Sequence, residues 1–131
     1  MPNNIRQEIL IGGIKTDDLG NLQEWGKHLA KPEKEGFKIT KPALTTSQIR
    51  KFFGEIKRIQ ADFEKNKGDI ILLDPKIAYA VGRADRGSKI KDFYQQLSPL
   101  IREIGSDKSK FKNFVNIVES IVAYHKAAGG Q

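Results

Sequence analysis

The sequence has no cysteine and only two histidines, His28 and His125, among its 131 residues. Without thiols the chain has no disulfide framework, no thiolate nucleophile and no Cys-containing zinc site. The two histidines are far apart in sequence, and neither is followed three or four residues later by a residue of metal-ligand type. We therefore expect no metal site and no cofactor.

The motifs of common enzyme classes are missing as well. The sequence contains neither a GxxxxGK[ST] phosphate-binding loop nor an HExxH pattern. Neither Ser88 nor Ser120 has a histidine within four residues in sequence to activate it. Glu119 is the one acid at the rim of the last apolar stripe, and a structural role such as pairing with a lysine explains it better than catalysis. We predict that the protein is not an enzyme, has no catalytic residues and takes no small-molecule substrate.

Long apolar runs are absent too. No run reaches the roughly 18 residues that a membrane span requires, and Met1 is followed by polar residues, so no signal peptide is expected. These features predict a cytoplasmic protein without a membrane partner.

Charge is unevenly distributed along the chain. The formal net charge is +7, and the sequence pI near 9.6 favours polyanionic partners such as nucleic acid. Residues 1–40 carry 6 Lys or Arg and 6 Asp or Glu, whereas residues 41–131 carry 17 and 10. The whole excess lies in the second part. We expect an N-terminal segment at 1–40 and a basic helical domain at 41–131.

The N-terminal segment is loosely patterned. Thr16–Asp18 is typical of a helix start, and apolar residues continue a short helix to about Ala30. The stretch Lys31–Pro42 holds two prolines and a glycine between charges, which predicts a linker or loop.

Apolar residues at spacings of three and four then indicate a first long helix. Thr45 and Gln48 have the form of a capping box, and Lys67-Gly68 is expected to end the helix. Its predicted buried stripe consists of Ile49, Phe52, Phe53, Ile56, Ile59 and Phe63.

Three further helical patterns follow. Asp74 before Pro75 reads as an N-cap and first helical residue, opening a helix to about Arg83. The next helix should be kinked or split at Pro99, and the last should end at Gly129-Gly130. The sequence thus predicts an all-α fold, a small bundle of four to five helices.

The first long helix presents cations over about 12 Å of its length: Arg50, Lys51, Lys57 and Arg58. Such a row suits a phosphate backbone. It is equally explained by pairing within the helix, because Glu55 and Asp62 lie three or four residues from Lys51 and Arg58. Arg50 and Lys57 then form the less compensated row. Both interpretations stay open.

Other basic groups lie further along the chain: Lys76, Arg83, Arg86 and Lys126. Tyr79, between the first two, either stacks on a base or, as is more common in an IAYAV segment, faces the core. The basic first turn of the last helix, from Lys108 to Lys112, opposes the helix dipole and hints at an anionic partner.

Three segments resemble one known family. LTTSQIRKFF, PKIAYAVGR and FKNFVNIVESIVAYHKAAGG are similar, in this order, to the small subunit of type III-A (Csm) CRISPR–Cas effector complexes. They cover most of residues 44–130, and the VAYHKxxGG ending is the most specific part.

The resemblance implies a non-catalytic structural subunit that takes part in antiviral defence. Family members are helical, present in several copies, and flank the duplex of guide RNA and target RNA. The implied partners are both RNAs, the backbone subunits, the large palm-containing subunit and further copies of the chain. Carried onto this sequence, the expected RNA-binding residues are Arg50, Lys51, Lys57, Arg58, Lys76, Arg83, Arg86 and Lys126.

One alternative is a helical interaction scaffold whose basic faces bind acidic protein surfaces, with little RNA affinity of its own. An enzyme is disfavoured by the missing ligands and motifs.

Overall fold

The described part of the chain is predominantly helical. The structure, a computed structural model, describes residues 1–84 and 87–131. Its elements are α1 Ile9–Gly12, α2 Thr16–Ala30, β1 Glu33–Glu35, β2 Lys38–Lys41, α3 Thr46–Ala61, α4 Phe63–Asn66, a 3₁₀ helix Lys67–Leu72, α5 Leu73–Arg83, α6 Ile90–Ile104 and α7 Lys108–Ala127. The predicted all-α bundle is confirmed.

Helix α7 forms the centre of the apolar core. Helix α2 packs along it and buries Leu22, Trp25 and Leu29, while α7 contributes Phe114 and Val118, both without exposed surface. At about 1.5–3 kcal/mol for each fully buried large side chain, this seam is a main source of stability.

Residues before α2 belong to the same core. Ile5, Ile9 and Leu10 are buried, and the Asn113 side chain donates a 2.8 Å hydrogen bond to the Leu10 carbonyl. The division at residue 40 stays a prediction about organisation, and both sides of it contribute to one apolar cluster.

Two helix starts follow the predicted chemistry. The Thr45 hydroxyl accepts from the Gln48 backbone N–H, and the Gln48 side chain accepts from the Thr45 N–H, so the predicted capping box of α3 is confirmed. At α2, Asp18 accepts from the Lys15 backbone N–H and so satisfies one free donor of the first turn.

The predicted linker contains a β-hairpin. Strands β1 and β2 pair antiparallel with Glu35 opposite Lys38, and Gly36, at φ +66°, supplies the turn conformation that side chains disfavour. The strand residues are exposed except for half-buried Lys41. The sequence lacked an apolar alternation here because neither face of the hairpin is buried.

Three boundary predictions are wrong. Helix α3 ends at Ala61 rather than at Lys67, because Asp62 leaves the helical conformation and its side chain accepts from the Lys65 N–H to start α4. Of the two outcomes predicted at Pro99, the split is wrong, because α6 runs unbroken from Ile90 to Ile104. The carbonyl that loses its partner to proline belongs to Gln95, an exposed residue that water can reach.

Asp74 is not the N-cap of α5. The helix begins at Leu73, and the buried Asp74 carboxylate points to α6, where it accepts hydrogen bonds from Tyr94, Ser98 and Arg102. Burial alone would raise the pKa of Asp74, but these hydrogen bonds outweigh it and the pKa is lowered. Asp74 therefore fastens α5 to α6.

Candidate nucleic-acid interface

Helices α3 and α7 run antiparallel and form the first candidate surface. Lys57 on α3 contacts Glu119 on α7 at 2.7 Å. The Phe63 ring, after α3, lies 5.6 Å from the Phe111 ring near the start of α7. At the other end, the buried His125 ring approaches Leu44, just before α3. Three contacts along the pair therefore fix its direction.

The VAYHKxxGG block holds this arrangement together. Nε2 of His125 donates a 2.7 Å hydrogen bond to the Leu44 carbonyl oxygen. The Gly130 backbone N–H donates to the His125 carbonyl, and a Cβ on Gly130 would lie only 2.7 Å from Nε2 of the ring. His125 and Gly130 are thus structural residues, whereas Lys126 between them is exposed.

Helix geometry brings cations from two distant segments to one surface. Arg50 precedes Lys57 by seven residues and Lys126 follows Glu119 by seven residues. Seven residues are about two turns and about 10 Å of helix. Because the helices are antiparallel, both steps lead to the same end of the pair. Arg50, Lys57 and Lys126 are all exposed, and we refer to them as the α3–α7 basic face.

Pairing on this face differs from the expected pattern. The predicted pairing of Glu119 with a lysine is confirmed, but its partner Lys57 is therefore not an uncompensated cation. Among residues 1–84 and 87–131, Arg50 and Lys126 make no ion pair. They are the cations of this face that remain available to an anion.

Sequence reasoning left one residue of this surface out of the site. Lys112 precedes Glu119 by seven residues, so it continues the stripe of Lys126 and Glu119 along α7, and it is exposed. The 112–119–126 spacing is visible in the sequence. It becomes informative only once Glu119 is known to face α3.

A second group of predicted cations surrounds a groove between α3 and α5. The groove has a volume of about 810 Å³, and the basic residues that line it are Lys51, Lys76 and Arg83. Apolar lining comes from side chains including Phe52, Ile77 and Phe93. We refer to it as the α3–α5 groove.

Two of the three salt bridges around this groove join different elements. Glu55 pairs with Lys76 of α5 at 2.7 Å and with Arg58 at 3.4 Å, rather than with Lys51. Arg58 also contacts Asp69 at 3.0 Å, rather than Asp62. The predicted pair of Glu55 with Arg58 is confirmed. The predicted pairing of Lys51 with Glu55 and of Arg58 with Asp62 is wrong, because the sequence did not show that α5 and the 3₁₀ helix approach this side of α3.

These contacts shift the pKa of Glu55 and the pKa of Arg58. The hydrogen bond from Lys76 holds the pKa of Glu55 below its usual value, with Arg58 acting in the same direction against the effect of burial. The hydrogen bond to Asp69 raises the pKa of Arg58. Arg58 is thus occupied by two carboxylates and is a poor candidate for a phosphate contact.

Tyr79 does not face the core. Its side chain is 67% exposed, because the buried side of α5 is taken by Leu73 and Ile77. The Arg83 guanidinium lies 5.7 Å from the centre of the Tyr79 ring, within reach of a cation–π contact. Arg86 lies outside the described residues, so its predicted role stays a prediction.

The fold and its exposed cations define a small, basic, predominantly helical domain. Within residues 1–84 and 87–131, no helix is both long and apolar enough to cross a membrane.

Comparison with known families identifies the domain. The sequence model of the Csm2 type III-A family matches residues 23–131. The chain belongs to this family and is a subunit of a type III-A CRISPR–Cas effector complex. The family is a structural, generally non-catalytic part of that complex. Comparisons with curated proteins and with solved structures gave no significant match.

Proposed function

We propose that this subunit binds the RNA backbone inside the effector complex, beside the duplex of guide RNA and target RNA. The α3–α7 basic face carries the proposal, because the fold joins Arg50 and Lys126 from two separate sequence blocks on one exposed surface. Such contacts position RNA without reading its sequence. In this role the subunit also bridges the backbone subunits, the palm-containing subunit and further copies of itself.

The charge balance of this face supports a modest contribution of each copy of the subunit to RNA affinity. Glu119 neutralises Lys57 in part, while Arg50, Lys126 and Lys112 surround that pair. Few phosphate contacts per copy give weak binding in isolation, and stacking several copies along one duplex would add their contacts.

The test is the salt dependence of RNA binding by the purified protein. For a single strand, log K falls with log salt by about 0.7 for each phosphate contacted. Arg50→Gln with Lys126→Gln should therefore make the slope shallower by about 1.4. Both residues are exposed, so the melting temperature should change little.

Lys34→Gln serves as the matched control. Lys34 is exposed on β1, which is not part of the α3–α7 pair, and its removal should leave the slope unchanged. Binding that does not respond to salt, or a double variant whose slope equals that of the control, would exclude the α3–α7 basic face as an RNA site.

A further inference from the structure

The α3–α5 groove is a surface of a different kind from the α3–α7 basic face. Its lining is mostly apolar, and two of its deepest residues, Ile90 and Phe93, are 3% and 1% exposed. The groove therefore opens onto the core of the bundle. At its edge, Leu72 and Tyr79 are 46% and 67% exposed. An apolar channel between two helices, with large apolar groups at its edge, is the surface that an amphipathic helix occupies in many complexes.

The charges at the edge of the groove determine which helix would fit. Lys51 lies on the α3 side, and Lys76 and Arg83 lie on the α5 side. Among the described lining residues the only acid is Glu55, and Lys76 and Arg58 already pair with it. An apolar surface with cations on both edges is complementary to a helix that has carboxylates on both sides of its apolar stripe.

RNA fits this groove less well. A phosphate backbone gains nothing from an apolar floor, and a base that stacked on the exposed ring of Tyr79 would have to compete with the Arg83 guanidinium for the ring face.

We propose that the α3–α5 groove binds an acidic amphipathic helix of another protein subunit. Apolar side chains at positions i, i+3 or i+4, and i+7 of that helix enter the groove between Phe52 and Ile77. Its Asp and Glu residues pair with Lys51 and Arg83. The subunit thus has two functional surfaces, one for RNA and one for protein, on opposite edges of the same helix α3.

Site-specific photocrosslinking in the reconstituted effector complex tests this assignment. A benzoylphenylalanine at Tyr79 replaces one exposed aromatic side chain by another, so folding should be retained. A second photocrosslinker at Ala123, which is exposed on α7, marks a surface outside the groove. Crosslinked products are identified by mass spectrometry. The Tyr79 position should yield a protein peptide with an excess of Asp and Glu and apolar residues at helical spacing, and the Ala123 position should not yield this peptide.

Charge reversal provides a second, independent readout. Lys51→Glu with Arg83→Glu should lower the yield of the Tyr79 crosslink at least fivefold, whereas Lys27→Glu should leave it unchanged. Lys51→Arg with Arg83→Lys keeps the charges and should retain the crosslink.

The proposal would be overturned by a crosslink from Tyr79 to RNA, or to a protein segment without acidic residues or helical spacing. Equal crosslink yields in the Glu and control variants would also overturn it, as would the absence of any crosslink in a fully assembled complex.

Discussion

Gly26 determines how closely helices α2 and α7 approach each other. A Cβ at this position would lie 2.7 Å from the Tyr124 carbonyl carbon and 2.8 Å from the His125 nitrogen. Glycine weakens a helix interior by about 1 kcal/mol relative to alanine. That local cost is offset here by the tight packing of α2 on the central helix.

Two glycines of the same helix should therefore respond oppositely to the same change. Gly26→Ala should lower the free energy of unfolding by about 1–3 kcal/mol, because the new methyl group forces the helices apart. Gly20 has no atom within 4 Å of an added Cβ, so Gly20→Ala should raise it by up to about 1 kcal/mol. Chemical denaturation of both variants measures the difference. Equal effects would show that α2 and α7 are not in this close contact.

At the scale of elements, a buried ionic cluster attaches the hairpin to the bundle. Asp92 of α6 contacts His28 of α2 and Lys41 of β2, each at 2.9 Å. Lys89 donates a 2.7 Å hydrogen bond to the His28 carbonyl and lies 3.6 Å from Glu33 of β1.

Burial lowers the pKa of Lys89. Burial alone would raise the pKa of Asp92, but the bonds from His28 and Lys41 outweigh this and lower it.

The lowered pKa of Asp92 makes stability sensitive to acid. Its contribution is complete above the unfolded value near 3.8 and is lost as the pH falls through the lower folded value. Asp92→Asn should cost about 3 kcal/mol at pH 7, since it leaves buried cations without their carboxylate. It should also flatten the decline of stability below about pH 4.

Denaturation curves between pH 2.5 and pH 7 measure this effect. The control is Asp17→Asn, because Asp17 is an exposed carboxylate of α2. In this control the free energy of unfolding should fall with decreasing pH as steeply as in the wild-type protein. If the free energy of unfolding of Asp92→Asn depended on pH as steeply as that of the wild type, the cluster would not couple folding to pH.

An element could be predicted from sequence where residues close to each other in the chain determine it, and could not where its contacts come from distant residues. Local chemistry was enough for α3, because Thr45 and Gln48 cap each other and the apolar stripe is regular. It failed at Asp74, whose carboxylate is bound by residues 20 to 28 positions away. Caps and stripes are local properties, whereas the partners of a buried carboxylate are set by tertiary packing.

At the scale of the whole molecule, the fold divides the predicted RNA-binding residues that the structure describes between two surfaces. Periodicity correctly placed Arg50, Lys51, Lys57 and Arg58 on the exposed side of one helix. It did not reveal that Glu119 of α7 pairs with Lys57, or that Asp69 of the 3₁₀ helix pairs with Arg58 while Lys76 of α5 takes Glu55. Which cations remain available depends on helix neighbours, and no pattern within one helix contains that information.

The most direct test of the account is ultraviolet crosslinking of the reconstituted effector complex on guide RNA and target RNA, followed by peptide mapping. RNA-linked peptides of this subunit should come from the start of α3, around Arg50, and from the end of α7, around Lys126. RNA-linked peptides confined to α1, α2 or the β-hairpin would contradict the proposed RNA surface.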